Sequence, residues 1–249
     1  MRLIGIVLRT ELREMRRTSA FRVILIIAAA VTVAAAAGIS VGLNLQSWLG
    51  AAEARPMMGV FIGLVLYFLP FIMILTFVAV FGNLPVIKEK VNGGLECLMG
   101  TPMTPKALWL GKALAAFLPA YIISLIDTFI VVLIINWTAM MPAGYGFVMP
   151  GATAVLGLFT NPLLFFGLLL FMILFAMANN PDAALAPMFL LSFGLMIGLP
   201  AAMMTGTVDI TSWTFSLGYL GGTIVAMIAV LYLSRMLTRQ NIVLSSKGA

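Results

Sequence analysis

The chain has 249 residues, 63% of them hydrophobic and 9% charged, with a formal net charge of +6. A mean hydropathy of +1.15 leaves too little polar surface to cover a soluble globule of this size, so a soluble core is excluded. Histidine is absent and Cys97 is the single cysteine, which removes the usual proton shuttle, the commonest metal ligand and any intrachain disulfide.

Taken in chain order, the first segment puts Arg2, Arg9, Arg13 and Arg16 on one side of a helix and Ile4, Leu8, Leu12 and Met15 on an adjacent side. The pattern predicts an amphipathic helix within 1–20 lying in the membrane interface, anchored by Arg9, Arg13, Arg16 and Arg17. Its basic stretch is long for a cleaved signal. Six apolar runs come after it, at 23–43, 58–84, 108–137, 152–178, 183–204 and 213–236, each long enough for the ~20 residues a membrane-crossing helix needs. With both termini on the cytoplasmic side, every Lys and Arg except Arg55 falls inside, as retention of basic residues requires. Only an even number of spans puts both basic ends on one side. These charges then face anionic lipid headgroups; they lack the interleaved aromatics of a nucleic-acid surface. The expected fold is an all-α membrane protein of one domain, 1–249, with six transmembrane helices and no separate soluble domain.

The segment 85–106, after the second run, is the longest polar stretch between runs. Gly93 and Gly94 are expected to break the second helix, and Gly100, Thr101 and Pro102 to stop whatever follows. Between the breaks, Leu95, Glu96, Cys97, Leu98 and Met99 form a short helical turn with an apolar side, a shape suited to docking on a partner. The run Glu89-Lys90-Val91-Asn92-Gly93-Gly94-Leu95-Glu96-Cys97-Leu98, then Thr101-Pro102-Met103-Thr104 and then Gly111-Lys112, resembles the ABC-2 type permeases, the membrane subunits of ATP-driven transporters. Gly94 stands where a threonine is usual in that family, and Met99 where a second leucine is usual.

The resemblance implies a dimer of permeases, either two copies or a pair of homologues, in the cytoplasmic membrane of a prokaryote. Two ATP-binding subunits would sit beneath it, with ATP and Mg bound on those subunits and not on this chain. It assigns Glu89, Gly93, Leu95, Glu96, Cys97, Leu98 and Met99 to the coupling surface, with Glu89 and Glu96 pairing to basic residues of the partner. The sequence carries no phosphate-binding loop: Gly111-Lys112 is followed by Ala113 and lacks the upstream glycine. The ATPase is therefore expected on another polypeptide, and this chain is expected to be a transport subunit, not an enzyme.

Midway along the third run, Asp127 is read as the clear ionisable residue inside the membrane, flanked by Ser124 and Thr128. Buried carboxylates are costly in hydrocarbon, so these three residues are candidates for a translocation path. A protonated or hydrogen-bonded structural acid is the competing reading, and an ion-coupled transporter using Asp127 is the alternative function. Met57-Met58, Met140-Met141 and Met203-Met204 fall at the expected outer ends of runs; thioethers suit Cu(I) but also serve as adaptable apolar filler, and no metal is assigned. Gly38/Gly42, Gly59/Gly63, Gly194/Gly198 and Gly218/Gly222 have the spacing that lets helices approach closely. Asn179-Asn180-Pro181-Asp182 is expected to form a tight cytoplasmic turn, with Asp182 capping the next helix. The loop 205–212 is too short for a folded receptor domain. No internal repeat of a secondary transporter is evident, and an intramembrane enzyme would need a second acid or a base that the runs lack.

Overall fold

In hydrocarbon every backbone amide must bond within its own segment, so apolar runs of this length have helices as their solution. A computed structural model describes residues 2–44, 54–178, 185–238, 240 and 242, which are helical with short connecting turns. The elements are α1 (Arg2–Arg17), α2 (Ser19–Asn44), α3 (Ala54–Phe77), α4 (Leu84–Val91), α5 (Gly94–Met99), α6 (Pro105–Ile135), α7 (Gly151–Val155), α8 (Asn161–Ala178), α9 (Leu185–Met204) and α10 (Trp213–Leu233). Wide π turns extend α3 through Val78–Asn83 and α6 through Asn136–Met140, and another joins α7 to α8 through Leu156–Thr160. Among the described residues, five helical stretches are long and apolar enough to cross a membrane: Ser19–Asn44, Met57–Gly82, Pro105–Met140, Gly151–Ala178 and Trp213–Met236. The protein is thus a multi-pass membrane protein. The fifth expected run coincides with α9, whose qualifying apolar stretch, Leu190–Met204, is shorter than the other five. The Asn179 to Asp182 turn lies outside the described residues.

The core lies among α3, α6 and α8, around Phe71, Ile74, Trp109, Phe165 and Leu169. One face of α2, carrying Ala28, Thr32, Ala36 and Ser40, is buried, and it packs on α6. Outward faces of α9 and α10 carry exposed Leu190, Ile197, Val225 and Ile228, the composition expected where lipid is the solvent. Exposed Trp137 and Trp213 sit at the ends of α6 and α10 remote from the basic segments, as interfacial anchors do.

The closest helix approach has a local cause. Pro70 lies inside α3 and has no N–H for the carbonyl four residues earlier, which is that of Leu66. That carbonyl points at Gly157 in the π turn before α8: a Cβ on Gly157 would lie 1.9 Å from Leu66 O. The next carbonyl along, Tyr67 O, accepts a hydrogen bond from Asn161 Nδ2 at 3.3 Å. Proline thus frees the carbonyl that faces Gly157, and Asn161 adds a side-chain bond to the carbonyl after it. Elsewhere Trp109 Nε1 donates to Leu170 O at 2.8 Å and Tyr121 Oη to Leu158 O at 3.0 Å, so polar side chains fasten helices through main-chain carbonyls.

The Gly-x-x-x-Gly spacings do not coincide with these contacts. Of the eight glycines in the four pairs, Gly63 alone would bring a Cβ within 4 Å of a neighbour. The tight approaches are at Gly82, Gly111 and Gly157, outside any such pair, because spacing says nothing about which face is buried. Gly157→Ala is expected to lower stability by more than about 3 kcal/mol, since the obstacle is backbone that cannot turn aside. Gly218→Ala, with open space around it, is expected to stay within about 0.5 kcal/mol of the parent. Thermal unfolding of the two variants in detergent checks the contrast.

Candidate functional site

The polar loop and the first helix meet at the basic end of the bundle. Gly93, at φ +71°, ends α4 in a left-handed conformation that side chains resist, and Cys97 N donates back to Gly93 O at 3.2 Å to start α5. Thr104 caps α6 by accepting from Ala107 N at 3.3 Å, with Pro105 in the first turn, where its missing N–H costs nothing. The breaks expected at 93–94 and 100–102 therefore fall where the chain turns.

About two turns into α6, Lys112 is buried at 5% exposure. Its Nζ donates to Glu11 Oε1 of α1 at 2.5 Å and to Glu89 Oε1 of α4 at 2.6 Å. An isolated ammonium in such a place would be prohibitively costly, so the two carboxylates are what allow it there. Beside it Gly111 admits α1: a Cβ at 111 would sit 2.7 Å from Val7 Cβ. Val7 and Met15 are buried, whereas Arg9, Arg13, Arg16 and Arg17 are exposed. The first helix is thus amphipathic as expected, and its apolar side rests on α6.

The loop is fastened at two further points. Lys90 Nζ, buried, donates to Ala176 O in the last turn of α8 at 3.0 Å, a cation at a helix C-terminus where the dipole favours it. Burial holds its pKa below the ordinary lysine value. Leu95 of α5 is 1% exposed and belongs to the main core. A cavity of about 150 Å³ lies between α1, α4 and α6, lined by Glu11, Glu14, Glu89 and Lys112 among apolar groups. Burial pushes the Glu89 carboxyl above the ordinary range despite the pull of Lys112, and Glu89 Oε2 has no hydrogen-bond partner among the described residues.

Of the residues expected at the coupling surface, Glu89 and Leu95 turn toward the chain's own helices, Leu98 is half-buried and Cys97 is exposed. Glu96 and Met99 lie in α5, and their side chains fall outside those described. Inside the membrane, Asp127 is buried and faces Thr32 of α2, and its Oδ2 has no partner among the described residues. Ser124 and Thr128 share its face but spend their hydroxyls on Tyr121 O and Ser124 O, so the three do not form one polar group. Asp127 is not the sole ionisable residue in that run: Lys112 shares α6, roughly 22 Å along the helix, and pairs with other acids. The Glu11–Lys112 pair was missed because an anchoring role accounts for any lysine near a span end; the available signal was a lysine already inside an apolar run.

Lys112→Met is expected to destabilise the fold by about 3 kcal/mol, because it leaves two acids facing each other without a cation. Glu89→Gln keeps an acceptor for Lys112 and is expected to cost about 1 kcal/mol or less. The pKa of Glu89 is raised on folding, so its contribution is fully present below the ordinary glutamate pKa and is lost as pH rises through the raised value. Lowering the pH from 8 toward 5 should therefore shift the stability difference in favour of the parent over Glu89→Gln. Melting temperatures of the three proteins at both pH values decide this.

Compared with known protein families, with curated proteins and with solved structures, the chain matches none of them.

Proposed function

We propose that this protein is the membrane-spanning permease subunit of an ATP-driven exporter of the ABC-2 type. Its main support is the segment Glu89 to Leu98, whose sequence resembles the coupling loop of that family. The geometry of that segment suits the role. A six-residue helix presents exposed Cys97 while Leu95, Lys90 and Glu89 fix it to the core, to α8 and to α6. A push on α5 would reach the spanning helices without being absorbed in a slack loop, which a rigid-body switch between inward- and outward-facing states needs.

In this reading α9 is the fifth of six spans, both termini and the loop are cytoplasmic, and the membrane is the plasma membrane of a prokaryote. The permease pairs with a second copy or a homologue, and ATP and Mg are held by separate ATP-binding subunits docked on α5. The exposed arginines of α1 lie against anionic headgroups.

Burial decides which substitutions test this. Leu95→Asp would put a charge in the core and unfold the loop, whereas Cys97→Arg with Leu98→Asp acts on exposed and half-buried positions. A tagged parent purified gently from its native cells should carry an ATP-binding subunit in near-equal amount, and the double variant should lose it at least tenfold at unchanged thermal stability. If no ATPase accompanies the parent even after crosslinking through Cys97, the reading is overturned. The ion-coupled alternative is then tested with Asp127→Asn in a proton-flux assay.

A further inference from the structure

Asp127 is a buried carboxyl that the joint at Lys112 does not use. It lies well inside the span Pro105–Met140, is 7% exposed, and is within hydrogen-bonding reach of Thr32 on the side of α6 that meets α2. Among the described residues both ion pairs belong to Lys112, and α2 carries no charge beyond Arg22. A carboxylate enclosed there without a cation would be prohibitively costly.

The hydroxyls near it have already given their protons away. Thr32 Oγ1 donates to Ala28 O at 2.9 Å, Ser124 Oγ to Tyr121 O at 2.9 Å and Thr128 Oγ1 to Ser124 O at 2.6 Å. A hydroxyl has one hydrogen and two lone pairs, so toward Asp127 these groups only accept. An ionised carboxylate also only accepts, and would meet lone pairs on every side. A bond between Asp127 and Thr32 therefore takes its proton from the acid. The enclosed Oδ2, without a partner among the described residues, agrees with a neutral acid, which has fewer acceptor positions to satisfy than an ion.

The place of this pair along α2 gives it weight. Near its two ends the buried face of α2 meets apolar core, Ile24 with Phe77 and Ala120, and Ala36 and Leu43 with Ile62 and Val131. Between those ends the face offers only Ala28 and Thr32. Apolar surfaces gain little by meeting one another in lipid, where small residues and polar bonds hold helices together. At the outer end Thr138 Oγ1 donates to Ser40 Oγ at 2.8 Å and Asn44 Nδ2 to Thr138 O at 3.1 Å. A slip of α2 by one turn, about four residues, would set Ala28 or Ala36 against Asp127 in place of Thr32.

We propose that Asp127 stands as a neutral carboxylic acid whose O–H donates to Thr32 Oγ1, clipping α2 to α6 inside the bilayer and fixing the register of the two helices. Asp127 is thereby a positioning residue. The clip stands apart from the coupling role of the loop and needs neither ATP nor a partner subunit.

The protonation state is read by infrared spectroscopy of the full chain in phosphatidylcholine nanodiscs, with and without isotopically labelled aspartate. At neutral pH the labelled-minus-unlabelled difference should contain the C=O band of a protonated carboxyl, and that band should be missing from Asp127→Asn. Carboxylate bands alone in the parent would overturn the proposal, and that comparison involves no variant. The clip is read by pulsed electron paramagnetic resonance between spin labels on Val33→Cys and Phe129→Cys, both exposed, in a Cys97→Ser background. One narrow distance distribution is expected in this background and with Asp127→Asn, whose amide N–H takes over the donation. A distribution at least twofold broader is expected with Asp127→Leu and with Thr32→Val, which keeps the shape and removes the acceptor. An unchanged distribution in either of these would overturn the clip. Asp127→Asn as broad as Asp127→Leu would overturn it as well, because an amide replaces a neutral acid as donor.

Discussion

A single ammonium sets the arrangement of the basic end. Lys112 sits within an apolar helix where no free cation is tolerable, and it draws one carboxylate from α1 and one from α4. Meeting that requirement brings three segments together: the first helix must cross α6 at Gly111, the extension of α3 must deliver α4 beside it, and α4 must turn at Gly93 to place α5. Hydrophobic burial of Val7, Met15 and Leu95 holds the same arrangement, but burial is non-directional. The two charge-assisted bonds add the geometric specificity.

Away from this end the bundle is unevenly packed. α3, α6 and α8 meet through side-chain bonds to main-chain carbonyls, a glycine contact and edge-to-face aromatics such as Phe71 against Phe165. α9 and α10 present broad apolar faces outward. The loop is fastened to this core through Glu89 on α6 and Lys90 on α8.

Much of this was legible in the sequence. Apolar runs longer than a bilayer is thick admit one solution, so the helix ends fall within a few residues of the expected spans, and Gly93 and Thr104-Pro105 mark their turns by local chemistry. The features that escaped depend on contacts between distant residues. Glu11 and Lys112 are far apart in the chain, and each has an ordinary role in its own segment, a solvated charge on an amphipathic helix and a basic anchor. Leu95 reads equally well as an outward docking residue or an inward one, because a six-residue helix has too few positions to define a face. Glycine spacing pointed to four helix contacts, whereas the close approaches are at Gly111 beside Val7 and Gly157 beside the carbonyl freed by Pro70.

The central claim, that Lys112 holds the first helix and the loop as one unit, is tested most directly by a distance across that unit. Spin labels on native Cys97 and on Arg13→Cys, both at exposed positions, report the separation of α5 and α1 by pulsed electron paramagnetic resonance. The account requires one narrow distance distribution in the parent and a distinctly broader or multiple one when Lys112→Met is added. An unchanged narrow distribution in the Lys112→Met protein would contradict it, leaving apolar packing alone as the joint.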